Sequence, residues 1–166
     1  MRIKKVSLSI LCLTAFVFLA SFAIRWWDVG IIPYGIEEDE VEWIATAKFL
    51  GSNINPLTNG VWSLHLSNAQ NYPFSLWVNQ ISFLVFGADL LSARKMLVFV
   101  NVLALIAFYC ILKRFLKWHV ALLTTALYSF SAYKLISSKI ALPTVYQELP
   151  VLSAILLVLI APSLRG

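Results

Sequence analysis

Long apolar runs alternate with short polar or charged breaks along this chain. Val6–Ile24 carries no charge. At about 19 residues and about 28 Å of helix it matches a hydrocarbon core of about 30 Å. Arg2, Lys4 and Lys5 precede it, and Arg25-Trp26-Trp27-Asp28 follows as an interfacial belt. A cleaved signal peptide is the competing reading, with a weak cleavage site at Leu19-Ala20-Ser21-Phe22-Ala23. Signal cores are shorter, about 7–15 residues, so an uncleaved span is preferred.

Three more runs have spanning length: Met96–Leu112, His119–Ser137 and Ala141–Ile160. The last carries Pro143, Gln147, Glu148 and Pro150 in its first half. Phe74–Phe86 is short for a crossing and contains Ser75, Asn79, Gln80 and Ser82. It reads as a re-entrant or interfacial helix opened by Tyr72-Pro73 and stopped by Gly87. Between the first and second spans, a stretch of about 28–95 forms a large outer loop. Within it, Glu37–Leu50 predicts a helix with acids in its first turn, Lys48 in its last and Gly51 beyond. Ser52–Asn71, rich in Asn, Ser, Gly and Pro, predicts an irregular connection.

The expected fold is therefore an all-α, polytopic helical membrane protein. It has about four spans (6–24, 96–112, 119–137 and 141–160) and juxtamembrane helices in the outer loop. Composition agrees: 60% of the 166 residues are hydrophobic and the mean hydropathy is +0.82. So small a globule has too much surface for its volume to bury that excess in water. The net charge is +5, from 13 Lys and Arg against eight acids. No basic stripe with interleaved aromatics points to nucleic acid. If Phe74–Phe86 does not cross, four crossings put both ends in the cytoplasm, the 28–95 loop outside, and Lys113, Arg114 and Lys117 inside; if it crosses, the sides of Lys113–Lys117 and of Lys134 and Lys139 swap. The Lys and Arg counts do not separate the two, and the tight basic group and the shortness of the segment favour the non-crossing version. The multi-pass protein belongs to the cell membrane on this reading, with membrane lipids as its surroundings.

Five of the eight acids, Glu37, Glu38, Asp39, Glu40 and Glu42, fall within six residues just after the first span. On residues alone, a solvated acidic first turn explains them. Cys12 and Cys110 lie in apolar runs and read as small hydrophobes; no Cys/His spacing forms a metal site.

Three stretches, in order, resemble the N-terminal part of the GT-C glycosyltransferases, polytopic enzymes that take a sugar from a polyprenyl-phosphate carrier. Asp39-Glu40-Val41-Glu42-Trp43 is similar to the family's Asp-Glu-Ala-x-Tyr after the first span. Tyr72-Pro73-Phe74-Ser75-Leu76-Trp77, closed by Phe86-Gly87-Ala88 and followed by Ser92-Ala93-Arg94, resembles its Pro-led juxtamembrane helix and following Arg. Ser137-Ser138-Lys139-Ile140-Ala141-Leu142 is similar to its Ser-Arg-Ile-Ala-Leu. Aminoarabinose transferases and protein O-mannosyltransferases are the nearest members by pattern. Lys139 replaces the usual Arg, Tyr72 stands where the family often has Lys, and Pro143-Thr144 stands where many members carry a second acid. Members are several times longer, so the chain resembles an N-terminal portion.

The resemblance implies transfer, on the outer side of the membrane, of a polyprenyl-phosphate-linked sugar to a lipid or protein acceptor. Asp39 would be the general base, and Glu40 would orient the acceptor or help hold a divalent cation (Mg²⁺ or Mn²⁺). Arg94 and Lys139 would meet the donor phosphate, and Tyr72 and Trp43 would line the substrate site. A small non-catalytic membrane subunit or scaffold of the same fold is the alternative reading. A transporter component is a third, disfavoured by the interfacial placement of the polar residues.

Overall fold

The computed structural model describes residues 8–31, 40, 41, 43, 44, 47 and 73–161. Its elements, in chain order, are α1 (Leu8–Trp26), α2 (Pro73–Phe86), α3 (Leu90–Phe115), α4 (Trp118–Ser129), α5 (Ala132–Ser137), α6 (Pro143–Tyr146) and α7 (Glu148–Ile160). Glu40, Val41, Trp43, Ile44 and Ala47 are also helical. No strand occurs among the described residues, and the expected all-α membrane architecture is what the chain adopts.

Three helical stretches are long and apolar enough to cross a membrane: Leu8–Trp26 with 19 residues, Leu90–Phe115 with 26, and Pro143–Ile160 with 18. The second begins before its expected start at Met96. Asp89 caps it, its Oδ1 accepting from the Ser92 amide at 2.7 Å, so Arg94 and Lys95 belong to the helix and not to a loop.

The expected single span over 119–137 is divided. α4 ends at Ser129 after 12 residues, about 18 Å of helix at 1.5 Å per residue. The Ser131 hydroxyl donates to the Tyr128 carbonyl at 2.8 Å and accepts from the Lys134 amide at 3.4 Å. One side chain thus closes α4 and caps α5, which makes the break inexpensive within an apolar stretch.

α3 is the central element and packs against α7, α2, α1 and α4. Small residues let backbones approach: Ala93, Ala104, Ala107, Ala121 and Ala141 are all buried. One apolar cluster joins Ile44, Val78, Ala93, Leu97, Val100, Ala141 and Tyr146. A second joins Tyr109, Ala121 and Leu122, with Val17, Phe18, Leu112 and Trp118 around them. At the end of the bundle where α1 finishes, Phe22 and Trp26 meet Phe99, and Phe86 stacks on Phe99. Lys95 Nζ lies 5.9 Å from the Trp26 ring centroid and 5.8 Å from that of Phe86. Aromatics with a basic head group mark the depth of a membrane boundary.

The turn between α2 and α3 needs Gly87, whose φ is +99°. Most L-residues avoid that conformation.

Candidate functional site

Most of the buried charged residues of the bundle lie at this same end, where loops and helix termini supply partners. Glu40 is fully buried and receives three hydrogen bonds. Arg94 donates from Nε to Oε1 at 2.8 Å and from its second terminal nitrogen to Oε2 at 2.7 Å. The Ala141 amide donates to Oε1 at 2.7 Å. A carboxylate has about four acceptor positions, and three are used. The fork-to-fork pairing of Arg with carboxylate is the strongest geometry for such a pair.

This arrangement brings two of the sequence-predicted site residues together. Arg94, expected to meet a phosphate, is 2% exposed and holds Glu40. Glu40, expected to orient an acceptor or ligate a cation, has its oxygens turned to Arg94 and the Ala141 amide. Sequence could not pair them, since 54 residues separate the two. The adjoining Trp43 is buried at 3% exposure and lies inside the fold. Asp39 and Tyr72 lie outside the described residues, as do Glu37, Glu38 and Glu42. Among the described residues, no group of three or more His, Cys, Asp or Glu is placed to hold a metal ion.

Beside this pair, the Tyr146 hydroxyl bridges α6, α2 and α3, with its oxygen 2.8 Å from Asn79 Oδ1 and 3.1 Å from the Ala93 carbonyl. Lys139 donates from Nζ to the Trp27 carbonyl at 2.7 Å, which ties the segment before α6 to the end of α1. Burial pulls the Lys139 ammonium below its ordinary value, partly offset by the Asp28 carboxylate, while the Arg25 charge lowers it further.

A second centre went unrecognised in the sequence. Arg25, read there as part of an interfacial belt, is fully buried. It donates to the Ser21 carbonyl and hydroxyl at 3.0 and 2.6 Å. It also donates to the Ser129 hydroxyl and carbonyl at 3.1 and 2.8 Å. The cation thereby caps the C-terminus of α4, where the helix dipole favours it. Nearby, Lys134 pairs with Glu148, and the Tyr128 hydroxyl approaches Glu148 Oε1 at 3.4 Å. The spacing of Ser21 and Arg25, four residues apart on one helix face, was the available signal.

Chemically, the end of the bundle offers two paired carboxylates, Glu40 with Arg94 and Glu148 with Lys134, and two further buried cations, Arg25 and Lys139. Compared with known proteins, the chain matches no family model, no curated protein and no solved structure.

Proposed function

We propose that this chain forms the membrane-embedded N-terminal part of a glycosyltransferase that uses a polyprenyl-phosphate-linked sugar. One observation carries the proposal. The three stretches that resemble the GT-C transferases lie far apart in sequence yet meet at Glu40, which is bound by Arg94 from the second stretch and by the Ala141 amide from the third. A solvated acidic turn would have no use for a fully buried anchor of this kind.

On this reading Glu40 fixes the turn, and Asp39, the residue before it in the chain, is the catalytic base at the outer boundary. An acceptor hydroxyl or amine attacks the anomeric carbon of the donor. Asp39 takes the acceptor's proton, the bond from the anomeric carbon to the phosphate oxygen breaks, and the lipid phosphate leaves with the electron pair. With Arg94 paired to Glu40, Lys139 and Lys95 are the cations at this end that the reading assigns to the phosphate. A divalent cation, if used, draws its ligands from the acids around Asp39. The acceptor is a lipid or a protein on the external side of the cell membrane.

The test is sugar transfer from synthetic polyprenyl-phosphate donors by the complete gene product in vesicles, with wild type beside Asp39→Asn. Loss of transfer by about a hundredfold or more in the variant supports the base. Near-normal transfer by Asp39→Asn overturns it. A folded wild type that transfers no sugar from any such donor favours the non-catalytic membrane subunit.

A further inference from the structure

At the end of the bundle away from Glu40, α1 and α4 part around a groove of about 230 Å³. The buried Leu122 forms its floor. Its rims, Leu13 of α1 and Leu123 of α4, are 48% and 60% exposed, so it opens sideways, where lipid surrounds the bundle. Trp118 and His119 stand at its mouth and Ala126 at its far end. From Trp118 to Ala126 the groove follows about 12 Å of helix. Apart from the imidazole its walls are apolar.

The charges around the mouth all have one sign. α3 is long and apolar enough to span, so its two ends lie at opposite boundaries. Arg94 and Lys95 mark the first, and Lys113 and Arg114, in its last turn, mark the second. Lys113 Nζ lies 5.4 Å from the Tyr109 ring centroid, which holds that ammonium against the bundle. Lys117 follows as the residue before α4, directly preceding Trp118. Arg114 and Lys117 are exposed. The sequence has no acid before Asp28 and none between Asp89 and Glu148. Each described acid is placed elsewhere: Asp28 beyond α1, Glu40 on Arg94, Asp89 at the start of α3 and Glu148 on Lys134. The first turn of α4 has no side-chain cap, and its amides add to the same mouth.

A soluble anion has no use for an apolar slot, and a neutral lipid has no use for the cations. A phosphate carried on a hydrocarbon chain uses both, and basic residues at a membrane boundary draw such lipids. We propose that the α1–α4 groove holds one acyl chain of an anionic glycerophospholipid, with its phosphate at Arg114, Lys117 and the start of α4. The lipid wedges the first helix against the fourth, at the boundary opposite the acidic stretch and independently of any chemistry there.

Native mass spectrometry of the full chain, released from a neutral detergent with dioleoyl phosphatidylglycerol or dioleoyl phosphatidylcholine added, tests this. The expected result is one phosphatidylglycerol retained several-fold more than phosphatidylcholine. Arg114→Gln/Lys117→Gln should bring the two lipids level. Ala126→Phe fills the groove, leaves the charges in place and should lower phosphatidylglycerol retention several-fold. Wild type that retains the two lipids equally, or neither, as a groove occupied by a further helix would, overturns the proposal. Undiminished retention by Ala126→Phe overturns it too, since charge alone would then hold the lipid. Displacement of the lipid by millimolar inorganic phosphate would reveal a site for a free anion and overturn it as well. Circular dichroism checks that each variant folds. Should Ala126→Phe not fold, Leu13→Trp obstructs the groove from α1 and is judged by the same outcomes.

Discussion

Glu40 and Arg94 hold one another through two hydrogen bonds of 2.7 and 2.8 Å, both side chains out of reach of solvent. Neither charge has water to fall back on, so the pair is a mutual dependency between the helical residue Glu40 and the start of α3.

Removing one partner leaves the other buried and uncompensated, which costs about 3–5 kcal/mol. Glu40→Gln and Arg94→Ala should each lower the midpoint of denaturant unfolding in detergent accordingly. The double variant Glu40→Leu/Arg94→Met should cost far less than the sum, because no stranded charge remains. Additive losses would mean that the two residues act separately.

Arg25 joins α1 to the end of α4. Arg25→Met should reduce stability by about 1.5–3 kcal/mol, the range for hydrogen bonds to a charged group. Arg25→Lys should recover only part, since an ammonium cannot reproduce the guanidinium fork at Ser21 and Ser129. Unfolding in a mild detergent series with both variants checks this.

Asp89 gives a pH dependence with a definite sign. Its hydrogen bonds with Ser92 hold the carboxyl below the ordinary 3.8, with Lys95 adding to the effect. The folded state therefore favours the ionised form. The contribution is complete above 3.8 and is lost as pH falls through the lower folded value. Asp89→Asn keeps a cap but does not titrate, so the stability difference from wild type should shrink on acidification below about pH 4. A difference constant from pH 7 to pH 3 would contradict the assignment.

Gly87→Ala introduces no steric contact but forces a side chain into left-handed backbone at φ +99°. The expected cost is about 1–2 kcal/mol. A neutral or stabilising effect in thermal unfolding would show that the turn relaxes.

How legible these features were follows from their range. α1 and α2 could be read because an uninterrupted apolar run, or a run between Pro73 and Gly87, is local information. The break after Ser129 could not be read, because apolar character continues through Phe130 and a single hydroxyl, that of Ser131, decides where the helix ends. The charges of Arg94 and Lys95 suggested a loop. Burial of Arg94 is made tolerable by a carboxylate 54 residues away, which no local pattern displays. The inward stripe of Ser75, Asn79 and Ser82 was visible as spacing, but its direction depended on knowing what α2 packs against.

The link from Arg25 to Ser129 spans 104 residues, and this bears on biogenesis. α1 leaves the ribosome long before α4 exists, so for most of synthesis its guanidinium has only Ser21 on its own helix. A long basic side chain in that situation reaches toward the lipid head groups and their water. The four hydrogen bonds of this cation are therefore complete only once α4 has been made.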